Sequence, residues 1–407
     1  MKQDRRYEEI LAENRALKVN EETSKLSKVL MWGAPGSETV LGQLLPSKIS
    51  CFETQFDVLG ARTEFETAKS ILTSQGVEVI QVKDLMAKMI DEQGLKPEGN
   101  FEELRKNIEA RALRYSEKYK DQGISDVEEV LSWLDEVLEA DAEKYGPETA
   151  TLMNEVLSLK SELPLSNVLY ARDQSNLLGR TFVWSSMRHQ IRQPEVHLFK
   201  TVLNHSGILE SKGLQQVQIN GSGRFEGGDG IANAGIFYIG VGGRSNAEGV
   251  LQASESIISK GGRVMILIDS DRDSGANEMD AMHLDTFWMP VGINQVVACK
   301  DEINRRQVLE VVGNPLSGLR LEDRGNFANH LEQRNVELIP LTKEEQLAYA
   351  PNFLNLGNKT VVLSLADGNN LTGELEKRGF TVFNANLKNI TKGYGGLHCM
   401  TAAIKRE

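Results

Sequence analysis

The sequence predicts an α/β protein in which one all-helical segment interrupts a body of short strands and helices. Near the N-terminus, apolar runs at 29–33 and 77–82 flank a helical stretch at 63–76, which Gly76 closes. From about Asn167 onward short β-type runs return, with helical or loop stretches between them. These runs are VQI (217–219), IFYIGV (236–241), VMILI (264–268), VVA (296–298), VLEVV (308–312), VVLSL (361–365) and TVF (381–383).

The segment at 88–164 contains no convincing strand, and its apolar residues have a helical spacing. Ser125 and Glu128 have the spacing of a capping box, which predicts a helix that begins after Ser125. We therefore predict an all-helical insertion whose acidic surface is equally compatible with a solvated face and with an interface of a homo-oligomer. The residues that follow i, i+3, i+4, i+7 on one face are Val127, Val130, Leu131, Leu134, Val137 and Leu138.

The composition excludes several classes of protein. The 407 residues are 40% hydrophobic and 26% charged, so the chain can bury a full core and is not globally disordered. The 46 Lys and Arg against 58 Asp and Glu give a net charge of −12, which argues against sequence-independent binding of nucleic acid. The three cysteines, Cys51, Cys299 and Cys399, are odd in number and far apart, which favours a reducing compartment over a disulfide framework.

The N-terminus and the hydropathy pattern indicate where the protein functions. No apolar run approaches the ~20 residues that a membrane helix needs. The first 18 residues are charged throughout and lack the apolar region of a signal peptide. We expect a soluble cytoplasmic protein with no membrane or nucleic-acid partner. Its four predicted zones are a charged helix or arm at 1–27, the first part of the α/β body at 28–87, the helical insertion at 88–164, and the remaining α/β body with the catalytic residues at 165–407.

Four short segments hold the residues that could carry chemistry. A cysteine, a histidine and several carboxylates can support metal-assisted hydrolysis, with His283, Asp285 and another acid as ligands, or attack by a thiolate. Each residue alone also has a structural explanation: a buried cysteine packs as a small apolar residue, and a Glu-Gly-Gly-Asp stretch forms a turn. Spacing alone leaves these alternatives open. The segments are NVLYARD (167–173), RFEGGDG (224–230), MHLDT (282–286) and GGLHCM (395–400).

Taken together and in this order, FEGGD, HLDT and GGLHCM resemble the arginine deiminase branch of the guanidine-modifying (pentein) superfamily over nearly the whole chain. The resemblance implies a five-bladed β/α propeller (the pentein fold) with an inserted all-helical domain. It also implies hydrolysis of the guanidinium of L-arginine to L-citrulline and ammonia through a covalent cysteine thiouronium. The partner would be a small-molecule guanidino substrate, and neither a metal nor another cofactor is expected.

The resemblance also implies a role for each catalytic residue. Cys399 would be the nucleophile, His283 the general acid and base, and Glu226 the partner of His283. Asp173 and Asp285 would grip the guanidinium. Two carboxylates suit this substrate because a planar guanidinium donates paired hydrogen bonds, which an ammonium group cannot do in the same geometry.

The other end of the substrate would be read by polar residues. By the same resemblance, Asn167 would touch the amino-acid end of the substrate, and Arg192 and Arg244 would hold its α-carboxylate. The chain departs from the family pattern at Tyr394, where an arginine is common, and at Phe287-Trp288-Met289-Pro290 after HLDT. Both departures are expected near the substrate channel, so they bear on the identity of the substrate more than on the chemistry.

Four alternatives to an arginine deiminase stay open at this point. An amidinotransferase would use the same residues with an amine in place of water. A deiminase for another guanidino substrate, such as agmatine, would lack the carboxylate to be read. A non-catalytic binding protein and a metal hydrolase are the remaining two.

Overall fold

The computed structural model describes residues 17–269 and 281–407, so most of the predicted N-terminal arm lies outside the described residues. Their strands form five separate sheets. The strands are β1 Leu26–Met31, β2 Glu78–Gln81, β3 Ser175–Leu178, β4 Thr181–Trp184, β5 Gln215–Gln218, β6 Gly230–Asn233, β7 Ile236–Val241, β8 Arg263–Asp269, β9 Trp288–Gly292, β10 Gln295–Cys299, β11 Arg306–Asn314, β12 Gly318–Asn326, β13 Glu337–Leu341, β14 Leu354–Gly357, β15 Thr360–Leu363, β16 Thr381–Asn384 and β17 Thr401–Arg406.

Each sheet repeats one arrangement of three strands. A middle strand has an antiparallel neighbour on one side and a parallel neighbour on the other. The orders are β17-β1-β2, β3-β4-β5, β6-β7-β8, β9-β10-β13 and β14-β15-β16, and β11 and β12 extend the third sheet beyond β8.

The connections follow from the chain geometry. Two-residue turns join β6 to β7 through Ala234 and Gly235, and β14 to β15 through Asn358 and Lys359. All four of these residues have positive φ, as the tight turn between antiparallel strands requires. A parallel pair needs a longer crossover, and each crossover in the five sheets contains a helix. The crossover helices are Val58–Ser74, Gln193–Ser206, Ala247–Ser259, Phe327–Gln333 and Asn370–Lys377.

The chain between β2 and β3 is helical, as the sequence predicts. The predicted apolar face is confirmed, since Val130, Leu134, Val137 and Leu138 are buried. The predicted capping box is wrong: Asp126 is the N-cap, because its carboxylate accepts from the backbone N–H groups of the two residues after Val127. The helices here are Val82–Gln93, Phe101–Tyr119, Val127–Tyr145, Pro147–Ser158 and the short Ala171–Gln174.

These helices share a hydrophobic core with the first sheet. Trp32, directly after β1, stacks on Phe199 of a crossover helix with ring centroids 5.6 Å apart. The same cluster of buried residues includes Leu134 and Met153 from the helical segment. The other described helices are Ser37–Gly42, Ser47–Ser50, Lys300–Asn304, Lys343–Leu347 and Leu397–Met400. Within residues 17–269 and 281–407, no helix has the length and apolar character needed to cross a membrane.

Candidate active site

The four sequence motifs occupy equivalent places in the fold. Asp173 lies in the turn of helix that leads into β3, and Glu226 precedes the 3₁₀ turn that leads into β6. Asp285 lies within the 3₁₀ turn before β9, and Cys399 lies in the short helix before β17. In every case the motif immediately precedes the first, antiparallel strand of a sheet. The segments around Asp173 and Cys399 contact one another, as do those around Glu226 and Asp285.

His283 lies between two carboxylates. Its Nε2 is 3.1 Å from Glu226 Oε2, and its Nδ1 is 3.7 Å from Asp173 Oδ1, with all three side chains buried. Burial lowers the pKa of His283, but the negative charges of Asp173, Glu226 and Asp229 outweigh it and raise the pKa to about 9. The histidine is therefore an imidazolium at neutral pH.

Glu226 is held as a carboxylate by the cations around it. Burial raises the pKa of Glu226, but Arg244, His283 and Arg192 together bring it well below its usual range. The Nη1 atoms of Arg244 and Arg192 lie 3.7 and 4.0 Å from Glu226 Oε2. The predicted pairing of Glu226 with His283 is present in the structure.

The turn that carries His283 is fixed by its neighbours. Asp229 accepts from the backbone N–H of Leu284 at 3.2 Å and from the hydroxyl of Ser245 at 2.6 Å. Burial raises the pKa of Asp229 to about 7, against the opposing effects of His283 and Ser245. Gly228 packs against the imidazole, where a Cβ would lie 2.7 Å from His283 Nδ1. The glycine pair of the motif is thus required by close approach.

Cys399 is buried beside Asp285. Its Sγ lies 3.5 Å from Asp285 Oδ2, and the same carboxylate oxygen is 2.7 Å from Nδ1 of His398. Burial raises the pKa of the Cys399 thiol well above its usual value, and the charges of Asp285 and Asp173 raise it further. Burial also raises the pKa of Asp285, but the hydrogen bond from His398 and the charges of His398, His283 and Arg172 together bring it below its usual value.

Arg192 and Asn167 are in the same buried cluster. Arg192 donates from Nη1 to Asp173 Oδ2 at 2.8 Å, from Nε to Glu195 Oε2 at 3.0 Å, and from Nη2 to the carbonyl of Asn167 at 3.3 Å. The Asn167 amide donates to the carbonyl of Ser50. Asp173 and Asp285, which are predicted to bind the guanidinium, are called the guanidinium clamp below. Arg192 therefore contacts one carboxylate of this clamp, Asp173, directly.

Arg192 and Arg244 lie in equivalent strand-to-helix connections of two different sheets. Each follows the middle strand of its sheet, β4 or β7, and precedes the crossover helix. All eight predicted site residues are buried. Polar contacts join six of them in one group and Asp285 with Cys399 in another, and the segments that carry the two groups contact one another. Of the two departures from the family pattern, Trp288 lies in a hydrophobic cluster against Tyr238 and Phe327. Tyr394 has a φ of +66° and directly precedes the two glycines of the GGLHCM motif.

Sequence reasoning missed several members of the site. These are Glu195, which pairs with Arg192, His398, which pairs with Asp285, and Asn352, whose amide contacts Cys399 Sγ. His398 was within reach, because it adjoins the cysteine in the GGLHCM motif. Asn352 carries no sequence signal, since nothing near it resembles a catalytic motif.

The cluster could also be considered as a metal site. Asp173, Glu226 and His283 offer ligand atoms that lie within 4.8 Å of one another. His283 is an imidazolium at neutral pH, however, so neither of its ring nitrogens has a lone pair to offer a metal ion. The arrangement is better suited to a cysteine, an imidazolium and paired carboxylates acting on an organic cation.

The fold of the chain is similar to that of solved dimethylarginine dimethylaminohydrolases, which are guanidine-modifying enzymes of the pentein superfamily. The dimethylarginine dimethylaminohydrolase (DDAH) of Pseudomonas aeruginosa, solved as a mutant in complex with citrulline, superposes with a TM-score of 0.54 at 15% identity. The match covers 93% of this chain and 99% of that one. A second dimethylarginine dimethylaminohydrolase structure gives a TM-score of 0.52. At these identities the likeness concerns the fold.

Within that superfamily the chain belongs to the arginine deiminase family, whose family model matches residues 51–406. The arginine deiminase of Streptococcus gordonii is 22% identical over 406 residues, which are 95% of this chain and 97% of that protein. That of Listeria welshimeri is 26% identical over 262 residues, 60% of this chain and 63% of the relative. The predicted family is confirmed, and so are the α/β class and the prediction of an arginine-deiminase-type hydrolase of C–N bonds in amidines.

Proposed function

We propose that this chain hydrolyses the guanidinium of L-arginine to L-citrulline and ammonia, with Cys399 as the nucleophile. One observation carries the assignment to these residues. Asp173 Oδ1 and Asp285 Oδ1 are buried, and neither accepts a hydrogen bond from any described residue. A buried carboxylate oxygen without a donor is costly, and a bound guanidinium would supply the missing donors beside the Cys399 sulfur.

Substrate binding prepares the nucleophile. Asp173 and Asp285 raise the pKa of the Cys399 thiol in addition to the effect of burial. A guanidinium between them would neutralise part of this negative charge and favour the thiolate. The same two carboxylates would orient the guanidinium carbon toward the sulfur.

The first half-reaction forms a thiouronium. The thiolate attacks the guanidinium carbon and gives a tetrahedral adduct. His283, held as an imidazolium by Glu226 and Asp173, donates its proton to the departing nitrogen. The C–N bond breaks, ammonia leaves, and the carbon stays bonded to Cys399.

The second half-reaction releases the product. Neutral His283 accepts a proton from water, and the oxygen attacks the thiouronium carbon. The C–S bond then breaks and the oxygen releases its remaining proton to solvent water, which returns the thiolate and leaves the ureido group of citrulline. Glu226 stabilises the imidazolium that forms again in this step.

The other end of the substrate would be read by Arg192 and Arg244, with Asn167 beside Arg192. Both arginines are buried and lie near Glu226. Because Arg192 also donates to Asp173, it would couple recognition of the α-carboxylate to the guanidinium clamp.

We also propose that the five sheets are the blades of a β/α propeller around the site. The repeated strand order and the equivalent positions of the motifs support this arrangement. The segment at 88–164 would be an insertion between the first and second blades, and its place between β2 and β3 supports that role.

A product assay with a cysteine variant tests the function. The wild-type enzyme should release ammonia and citrulline from arginine alone, whereas an amidinotransferase would require an added amine. Cys399→Ala should abolish turnover and keep the wild-type circular dichroism spectrum. Cys299→Ala is the matched control, since Cys299 is equally buried but lies in β10 within another hydrophobic cluster. Near-normal turnover by Cys399→Ala would refute the mechanism.

A further inference from the structure

The Asn352 side chain forms hydrogen bonds with Cys399 and with two backbone groups near it. Its Nδ2 donates to Cys399 Sγ at 3.1 Å and to the carbonyl of Asp285 at 3.1 Å. Its Oδ1 accepts from the backbone N–H of Gly396 at 2.9 Å and of Cys399 at 3.0 Å. The side chain is fully buried, so these contacts exclude solvent.

We propose that Asn352 is a further catalytic residue, whose amide donates a hydrogen bond to the Cys399 thiolate and stabilises it. This inference rests on the proposed function, because it takes Cys399 as the nucleophile. Among the hydrogen bonds of the described residues, the Asn352 amide is the donor directed at the sulfur. The other polar neighbour of the sulfur is the Asp285 carboxylate, which favours the neutral thiol.

The position of Asn352 in the fold supports a role in the site. Asp173 and Cys399 each lie two residues before the first antiparallel strand of a sheet, β3 and β17. Asn352 lies two residues before β14, the corresponding strand of the fifth sheet. The repeated architecture thus directs one more polar side chain at the place where the other motifs meet.

The electrostatics of the cysteine explain why such a donor is needed. Burial raises the pKa of the Cys399 thiol, and two carboxylates add to the rise, while the hydrogen bond from Asn352 opposes it. A hydrogen bond to a charged acceptor is stronger than one to a neutral acceptor, so the Asn352 amide favours the thiolate over the thiol. The substrate cation contributes only after binding, whereas Asn352 acts in the free enzyme as well.

Asn352 also has an anchoring role that must be separated from its effect on the sulfur. Its backbone carbonyl accepts from the N–H of His398 and the hydroxyl of Ser364, and that hydroxyl accepts from the N–H of Leu397. Ser364 therefore anchors the helix Leu397–Met400, which carries Cys399, without any hydrogen bond to the sulfur. Ser364→Ala is the matched control for loosening of this helix.

The test measures the reactivity of the sulfur without substrate. The rate of carboxamidomethylation of Cys399 by iodoacetamide is followed from pH 7 to 10.5, with mass spectrometry of the Cys399 peptide to separate it from Cys51 and Cys299. Asn352→Asp keeps an acceptor for Gly396 and Cys399 but replaces the donor with a carboxylate. It should lower the rate at pH 8 at least ~tenfold and move the profile to higher pH. Asn352→Ala should shift the profile in the same direction.

Ser364→Ala should leave the pH profile in place, because it loosens the helix without removing the donor. A looser helix exposes the sulfur and speeds alkylation, which is opposite in sign to the loss of the donor. Wild-type alkylation by a folded Asn352→Asp enzyme, verified by circular dichroism, would overturn the proposal and leave the thiolate mechanism intact. Turnover by Cys399→Ala would instead refute the proposed function, whatever the alkylation rates.

Discussion

At the scale of single residues, the charge state of His283 is set by its two carboxylate neighbours. Its pKa of about 9 means that the imidazolium needed to protonate the leaving nitrogen is present at neutral pH. As a group whose pKa is raised by folding, it stabilises the native state fully below about pH 6.5, and this contribution is lost as the pH rises through 9.

The raised pKa of His283 predicts the alkaline limb of the pH–rate profile. We expect kcat/KM for arginine to fall above about pH 9, where the imidazolium loses its proton. Glu226→Gln removes a negative charge 3.1 Å from the ring, so it should lower the pKa of His283 and move this limb to lower pH. The measurement is kcat/KM between pH 6 and 10.5.

A matched control for this profile is Glu92→Gln. Glu92 pairs with His205 at 3.0 Å, but this pair is half-exposed on the surface and outside the site. Its removal should leave the profile unchanged. An alkaline limb that stays in place in Glu226→Gln would contradict the assignment of this limb to His283.

At the scale of elements, a buried ion pair joins two of the helices between β2 and β3. Lys83, at the start of helix Val82–Gln93, donates to Asp141 of helix Val127–Tyr145 at 2.8 Å, with both side chains at most 5% exposed. The backbone N–H of Lys83 also donates to the carbonyl of Trp32, directly after β1. The ion pair therefore joins the two helices by charge, and the backbone hydrogen bond joins the first of them to the end of β1.

Breaking this pair should destabilise the fold strongly. Lys83→Ala leaves the Asp141 charge buried without its cation, which typically costs about 3–5 kcal/mol in the free energy of unfolding. Lys144→Ala is the control, because Lys144 and Asp84 bridge the same two helices at 2.7 Å on the exposed surface, where a pair contributes about 1 kcal/mol or less. Urea unfolding measures both. Similar losses in the two variants would show that the buried pair has no special role.

At the scale of the whole molecule, the substrate would be read by residues from different sheets. Arg192 follows β4, Arg244 follows β7, and Cys399 precedes β17. Agmatine is arginine without the carboxylate, so it would leave the polar end of such a site without its partner. We expect kcat/KM for arginine to exceed that for agmatine by more than ~10³, because sites built for a polar group reject analogues that lack it.

Two variants locate this discrimination. Arg244→Gln should lower kcat/KM for arginine more than for agmatine, and so reduce the ratio at least ~tenfold. Arg192→Gln should lower the rates with both substrates, since Arg192 also holds Asp173 of the guanidinium clamp. Comparable wild-type rates on arginine and agmatine would contradict the carboxylate assignment and favour an agmatine-type deiminase.

The sequence by itself determined the α/β class and the family of the protein, and it predicted the residues that carry the chemistry. A continuous apolar run predicted β7 at Ile236–Val241 with its observed bounds, because a strand buried on both faces does not alternate apolar with polar residues. The motifs around Glu226, His283 and Cys399 predicted the catalytic residues, because their sequences and their order along the chain resemble those of the arginine deiminase family. The sequence analysis did not predict short strands such as β3 and β17. Their four to six residues mix polar and apolar types and so show no distinctive period.

Only the tertiary structure decided which residues meet. Asn352 and Cys399 are 47 positions apart, and Asp285 and His398 are 113 apart, so no local pattern links the members of either pair. The structure also shows that Trp288 belongs to a hydrophobic cluster, where its ring packs edge-on against Tyr238. Hydrogen bonds and burial depend on distances in space, and these are set by how the sheets pack together. The charge of His283 and the environment of the Cys399 thiol follow from that packing, which the order of residues along the chain does not contain.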